Sequence, residues 1–178
     1  MRARGLTLRS RRIALPILSV FALLVGASTA AGNGDRTVFV MDRCEPDSFN
    51  AVLGPDACVR DGGVTFDKFL RRVNPQDGGH NAWRFSGGDV VLKPGEALSA
   101  SNTGGETHTF TEVANFGTGI VAELNAALPA GTPAAQPLGA LNFMAAGETL
   151  QLGALGPGEH RFECLIHPWM RAVVEQSS

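Results

Sequence analysis

The stretch HRFECLIHPWMRAVVEQ, residues 160–176, places a thiol, an imidazole and a thioether at even spacing on Cys164, His167 and Met170. The alternation in HRFEC predicts a strand that ends at the cysteine, and RAVVEQ has the composition of a returning strand. LIHPW turns the chain between the two strands. One short loop therefore directs two sulfur atoms and one ring nitrogen toward a common point.

A metal held by this loop needs a further ligand, and the segment THTFT, residues 107–111, offers His108. By strand alternation, His108 and Phe110 share one face. Two imidazoles, a thiolate and a weakly bound thioether form the ligand set that suits copper in electron transfer. Thiolate and thioether stabilise Cu(I), whereas imidazole binds both oxidation states.

Other chemistry for these residues stays open. Zinc can use cysteine and histidine, although closed zinc sites favour four such ligands over methionine. A cysteine nucleophile paired with His167 is a second alternative, but no carboxylate or amide partner is evident. Ordinary structural roles are expected for His160 and Met144, and His80 is interpreted as a surface residue of a glycine-rich loop.

The loop resembles the ligand loop of the cupredoxins, the type 1 blue copper proteins, and most closely that of the amicyanin type. FECLIHPWMRAVVE has the C-x2-H-x2-M spacing of that type, with Pro168 directly after the histidine. Upstream, FSGGDVVLKPGEALSASNTGGETHTF is similar to the family's strand, K-x-G turn, second strand and first histidine ligand. The resemblance covers residues 82–176. It implies one type 1 copper site with four ligands, namely His108, Cys164, His167 and Met170.

Three features depart from the best-known cupredoxins. Thr109 follows the first histidine, where many relatives have an asparagine that links the two ligand loops. If this link exists here, the Thr109 hydroxyl or a backbone amide must make it. Residues 117–147 form a longer segment than in the smallest members, and the region before residue 82 has no counterpart in the amicyanin pattern.

From residue 82 onward, short segments rich in aromatic and β-branched residues alternate with Gly and Pro turns. This texture predicts an all-β fold over residues 82–178, a cupredoxin-like Greek-key β-sandwich. GIVAELNAAL, residues 119–128, has the spacing of one inserted short helix. The region that precedes the sandwich, residues 32–81, is interpreted as an N-terminal extension packed on it.

The N-terminal extension carries two of the chain's three cysteines. Cys44 and Cys58 would close a short loop through a disulfide, which contributes on the order of 3 kcal/mol to stability. With these two cysteines paired, Cys164 is left without a disulfide partner. TFDKFLRRV, residues 65–73, has the apolar spacing of an amphipathic helix with Thr65 at its N-cap, so the extension is expected to be partly helical.

The first residues, MRARGLTLRSRR, are basic and precede the apolar run IALPILSVFALLVGASTA. This pattern is typical of a secretory signal peptide, assigned to residues 1–31, and predicts a periplasmic or extracellular protein without an integral membrane span in the mature chain. An uncleaved membrane anchor is the alternative. Without residues 1–31, ten basic and seventeen acidic residues give a net charge of −7, which disfavours nucleic acid and anionic membranes as partners.

The first functional hypothesis is an exported type 1 blue copper protein that carries single electrons between redox partners. In this hypothesis the protein is a monomer, and His167 is the ligand nearest the surface. Pro168 and Trp169 form an apolar patch around it, where a transient redox protein docks. The alternative role for Trp169 is to cap the end of the sandwich. Copper carriage or sequestration without a redox circuit is the alternative. An enzyme is not expected. Copper enzymes with this fold have a second copper centre, which needs more histidines than the two that remain, His80 and His160. A trimer whose subunits share ligands for such a centre stays open.

Overall fold

The computed structural model describes residues 34–178. The predicted signal peptide, residues 1–31, lies outside the described residues. Within residues 34–178, no helix has the length and apolar character needed to cross a membrane. These residues belong to one compact unit.

Short strands dominate the described part of the chain, and helices are brief. The strands are β1 (Arg36–Met41), β2 (Arg84–Phe85), β3 (Asp89–Leu92), β4 (Ala97–Asn102), β5 (His108–Thr109), β6 (Thr111–Val113), β7 (Phe143–Met144), β8 (Thr149–Ala154), β9 (Gly158–Glu163) and β10 (Arg171–Gln176). The α-helices are α1 (Pro46–Leu53) and α2 (Phe66–Leu70), and a 3₁₀ helix covers Ala122–Ala127.

The strands form two four-stranded sheets and one two-stranded ribbon. The first sheet has the order β2-β1-β4-β8, the second has the order β3-β10-β9-β6, and β5 pairs with β7. Apolar side chains from both sheets meet in one core, with Val40 and Leu98 from the first and Phe162 and Val174 from the second. Phe110 stacks on Phe162 with 4.4 Å between ring centroids. The all-β sandwich predicted from the sequence is therefore confirmed.

β1 occupies an inner position in the first sheet, although it comes from the region assigned to the extension. It runs parallel to β4, with Val38 opposite Ala100, and antiparallel to β2, with Val40 opposite Phe85. Val38 and Val40 are buried because alternate residues of a strand point to the same face. The part of the extension formed by β1 is thus built into the sandwich.

A disulfide and a capped helix follow β1. The disulfide predicted between Cys44 and Cys58 is confirmed, with 6.1 Å between the two Cα atoms. α1 begins after Glu45, whose carboxylate accepts hydrogen bonds from the backbone N–H groups of Asp47 and Ser48. These bonds satisfy donors of the first turn that have no partner within the helix.

α2 is held in place from α1. Thr65 occupies the N-cap position as predicted, but its side chain makes no capping hydrogen bond. Instead, the N–H of Phe66 donates to the hydroxyl of Ser48 at 3.0 Å, which joins the two helices. α2 ends at Leu70, earlier than the predicted segment, and its Phe69 side chain is buried.

The helix predicted within residues 119–128 is the 3₁₀ helix. The side chain of Asn125 fixes it to the preceding loop, because it accepts from the N–H and donates to the carbonyl of Gly119. The N–H of Ile120 donates to the carbonyl of Leu165 at 2.7 Å. This segment therefore lies against the loop that carries the cysteine.

Candidate metal centre

Three of the four predicted ligands converge at one buried point. The Sγ atom of Cys164 lies 3.7 Å from Nδ1 of His108 and 3.8 Å from Nδ1 of His167. One ligand atom from each residue lies within 4.8 Å of the others, so the cluster could hold a metal ion. Cys164 and His108 are 0% exposed and His167 is 2% exposed.

The turn between β9 and β10 sets the positions of the loop residues. Cys164 follows β9 directly, and its N–H donates to the carbonyl of Met170 at 3.0 Å. The N–H of Met170 donates to the carbonyl of His167 at 2.9 Å. The loop is thus closed by its own backbone, and Met170, which is 1% exposed, joins the apolar core beside it.

The link between the two ligand segments is made by Thr109, in both of the ways that the sequence allowed. Its hydroxyl accepts a hydrogen bond from the N–H of Leu165 at 2.7 Å, and its backbone N–H donates to Sγ of Cys164 at 3.3 Å. The N–H of His167 also donates to the same sulfur, at 3.4 Å. Two backbone donors therefore face a sulfur that would carry negative charge as a thiolate.

Asp42, which sequence reasoning missed, holds the outer nitrogen of His108. Its Oδ2 lies 2.9 Å from Nε2 of that ring. The carboxylate also accepts hydrogen bonds from the backbone N–H groups of Cys44, Gly105 and Glu106. Burial by itself raises the pKa of Asp42, but the hydrogen bond and charge of His108 and these N–H groups bring it down to about 2. The ring therefore faces a fixed negative charge.

Glu106 is a second carboxylate near the cluster that the sequence did not reveal. Its Oε2 accepts a hydrogen bond from the indole N–H of Trp83 and lies 3.8 Å from Nε2 of His167. Burial raises the pKa of Glu106, and the nearby His167 opposes that rise. Each of the two histidines thus has Nδ1 toward Cys164 and Nε2 toward a buried carboxylate.

The electrostatics of the cluster favour a thiolate at Cys164. Burial raises the pKa of this thiol, but hydrogen bonds and charge from His108 and His167 lower it well below its ordinary value. Burial lowers the pKa of His108, whereas its bonds to Asp42 and Cys164 raise it to about 10. The thiolate is the form that binds metals, and a metal ion at this point would replace the proton that the raised pKa keeps on His108.

At 2% exposure, His167 is the most exposed of the four predicted ligands, but it is buried and does not form the open surface that was expected. The ring of Phe69 from α2 lies 6.1 Å from the His167 ring, and the Trp169 ring lies 5.5 Å from it. The extension therefore covers the face of the loop that was expected to be open. The sequence did not predict this packing. The apolar spacing of α2 shows that one face of the helix is buried, but not which part of the molecule that face packs against.

Pro168 is buried and Trp169 is half-buried. The indole N–H of Trp169 donates to the carbonyl of Trp83 at 3.2 Å. Its ring lies so close to Gly79 that a Cβ at that position would collide with it. The tryptophan thus caps this end of the sandwich, and docking of a partner near Pro168 and Trp169 stays a prediction.

The remaining residues singled out in the sequence lie in other contacts. His160 contacts Glu112 through Nδ1 at 2.6 Å and the carbonyl of Gly156 through Nε2 at 2.7 Å, a structural role as expected. His80 is half-buried, and its ring lies 4.8 Å from that of Trp83. Met144 is buried and pairs with His108 across β5 and β7.

The place of the cluster in the sandwich agrees with the resemblance seen in the sequence. Two ligands lie on the loop between β9 and β10, and the third begins β5, which follows a strand of the opposite sheet. The fold is cupredoxin-like. In this cupredoxin-like fold, Asp42 after β1 adds a carboxylate to the ligand cluster and α2 adds a cover.

No protein-family model and no curated protein matches this chain. Among solved structures, a purple cupredoxin from Nitrosopumilus maritimus matches at 12% identity and a TM-score of 0.46, covering 80% of this chain and 100% of that chain. A mutant amicyanin with Cu(I) matches at 17% identity and a TM-score of 0.36, covering 53% and 73%. A mutant fern plastocyanin matches at 14% identity and a TM-score of 0.39, covering 80% and 100%. At these identities and TM-scores, the alignments alone assign neither a ligand nor a function.

Proposed function

We propose that this protein is an exported type 1 copper protein that carries single electrons between redox partners. The observation that supports it most directly is the convergence of His108, Cys164 and His167 on one buried point. Met170, in the same closed loop, is assigned as the fourth and weakly bound ligand. Bound copper would supply a one-electron change between Cu(II) and Cu(I).

The donor set suits copper better than zinc. Closed zinc sites use four cysteine or histidine ligands, and a thioether is a poor substitute. Here a buried thiolate and two imidazoles stand beside a buried methionine, a combination of soft and intermediate ligands that serves both Cu(I) and Cu(II). The low pKa of Cys164 supports the thiolate form.

Electron transfer requires ligands that move little between the two oxidation states. The sulfur of Cys164 is held by two backbone N–H groups, and the ring of His108 is held by Asp42. Copper carriage, the alternative function, requires an accessible site that exchanges its metal. The burial of His167 favours retention of copper and therefore favours electron transfer.

We further propose a transient redox protein as the partner, and an oxidising compartment outside the cytoplasm as the location. The disulfide between Cys44 and Cys58 supports such a compartment. Although Trp169 caps this end of the sandwich, its ring stays partly exposed and lies 5.5 Å from the His167 ring, which supports a partner contact there. No enzymatic activity is proposed.

The proposed function is tested by loading the protein with Cu(II) and recording visible absorption and electron paramagnetic resonance during a reductant titration. We expect an intense visible band and narrow copper hyperfine splitting, both lost reversibly on addition of one electron per copper. Cys164→Ser should abolish the intense band, because it arises from charge transfer from sulfur to copper. His160→Gln, the control, should retain it. A pale spectrum, or copper lost on reduction, would move the assignment to carriage or to another metal.

A further inference from the structure

A groove of about 420 Å³ opens beside the candidate metal centre, where α1 and α2 face the 3₁₀ helix. Its walls are largely apolar and include Leu53, Phe66, Phe69, Leu124 and Ile166. The most buried polar side chains that line it are those of Glu106 and His167. The groove therefore has largely apolar walls, with buried polar side chains where Glu106 and His167 lie together.

Glu106 brings an acceptor into this groove. Its side chain is only 8% exposed, and its Oε2 is already bonded to the indole N–H of Trp83. Among residues 34–178, no side chain or backbone N–H donates a hydrogen bond to Oε1 of Glu106. Oε1 is not fully buried, so it is accessible from the groove, and a donor on a bound molecule could form a hydrogen bond with it.

The shape and charge of the groove limit what it can bind. Its volume lies within the range of about 300–1,000 Å³ that is usual for small-molecule sites. Phe66 and Phe69 offer aromatic faces on which a ring can pack. Glu123 also lines the groove, so two carboxyl groups disfavour an anion.

We propose that this groove binds a small monocyclic molecule of the phenol class, with its ring on Phe66 and Phe69 and its hydroxyl donating to Oε1 of Glu106. The site goes beyond electron transfer and does not depend on copper, because the extension and the 3₁₀ helix form most of its walls. Failure of phenol to bind would thus leave the proposed copper function untouched, and failure to bind copper would leave the groove testable.

The test is calorimetric titration of phenol, toluene and benzoate into the copper-free protein and into the Cu(I)-loaded protein under argon. Phenol should bind with a dissociation constant of about 1 mM or tighter, which is reasonable for a ligand of this size. Toluene, which has the ring but no donor, should bind at least about tenfold more weakly. Benzoate should not bind measurably.

Two pairs of variants locate the bound molecule. Leu53→Trp should fill the mouth of the groove and abolish phenol binding, whereas Val52→Trp, an exposed neighbour on α1 that does not line the groove, should leave it unchanged. Glu106→Gln should reduce the preference for phenol over toluene, whereas Glu123→Gln should retain it. The visible spectrum of the Cu(II) form shows whether each variant keeps its metal site.

Three results would overturn the proposal. Toluene bound as tightly as phenol would show that the carboxylate of Glu106 takes no part. Phenol bound equally well by Leu53→Trp would place it elsewhere on the protein. No saturable binding of phenol at about 20 mM, well above the expected dissociation constant, would show that the groove is not a site for this class of molecule.

Discussion

Asp42 places a buried negative charge 2.9 Å from the outer nitrogen of a proposed copper ligand, His108. A fixed negative charge stabilises the more positive oxidation state of a nearby metal. We therefore expect Asp42→Asn to raise the reduction potential, on the order of 50 mV, the equivalent of roughly 1 kcal/mol. Reductant titration measures this shift. Asp47→Asn, which removes an exposed carboxylate on α1, is the control and should leave the potential nearly unchanged.

Asp42 also predicts a specific loss of stability in acid. Its pKa is about 2 in the folded protein against 3.8 for an ordinary carboxyl, so its contribution is complete above about pH 4 and is lost as the pH falls through 2. The difference corresponds to roughly 2 kcal/mol. Urea unfolding of the copper-free protein between pH 5 and 2 should show this loss in the wild type and not in Asp42→Asn. If the free energy of unfolding fell equally with pH in the two proteins, the role assigned to Asp42 would be contradicted.

The hydroxyl of Thr109 makes a third prediction at the scale of one residue. Thr109→Val keeps the shape of the side chain but leaves the N–H of Leu165 without its acceptor. An unsatisfied buried donor costs about 1–3 kcal/mol, so the free energy of unfolding should fall by that amount. Urea unfolding measures it, with the exposed Thr107→Val as control. Equal stability of the two variants would show that the link contributes nothing.

The residues of the cluster were predictable to different degrees. His108, Cys164 and His167 could be found because chemistry and spacing coincide on two short segments. Asp42 could not, because it stands 66 residues before its histidine and meets it only once β1 has entered the sheet. The burial of His167 was also hidden, since it depends on where α2 packs.

At the scale of elements, α2 covers the proposed ligand His167 through Phe69. Phe69→Ala should open this cover and remove a buried ring that also contacts Trp83 at 4.6 Å between centroids. We expect the free energy of unfolding to fall by about 3–5 kcal/mol, and copper to pass to a chelator faster. Urea unfolding and the decay of the visible band in the presence of chelator measure the two effects.

Leu70→Ala is the matched control for the cover, because Leu70 lies on the same helix and is 46% exposed. It should change stability by much less and leave the rate of copper loss nearly unaltered. If Phe69→Ala lost copper no faster than this control, α2 would be a structural support and not a cover of the site.

The positions of the strands along the chain were easier to predict than the pairing between strands. Alternation and turn residues identified a sandwich, and the spacing around residues 119–128 identified a helical segment. Neither pattern specifies that β1 runs parallel to β4 or that β3 runs parallel to β10, because those pairings are set by packing between distant parts of the chain. The region called an extension was therefore assigned outside the sheet that it enters.

At the scale of the whole molecule, the helices and the sandwich share one core, which includes Phe49, Trp83 and Phe162. We expect them to unfold together in a single transition. The chain has two tryptophans, Trp83 and Trp169, both at the junction, so their fluorescence should change at the same urea concentration as the copper absorbance. A fluorescence transition that precedes the loss of absorbance would show that the extension melts separately.

The parallel pairing of β3 with β10 also bears on the order in which the molecule is completed. β10 ends at Gln176, opposite Leu92, so the second sheet joins segments that lie far apart along the chain. The cysteine loop directly precedes β10, whereas Asp42, which holds the ring of His108, directly follows β1. Both sheets must therefore assemble before the ligands and this carboxylate stand together, so metal binding by the complete cluster would report that folding is complete.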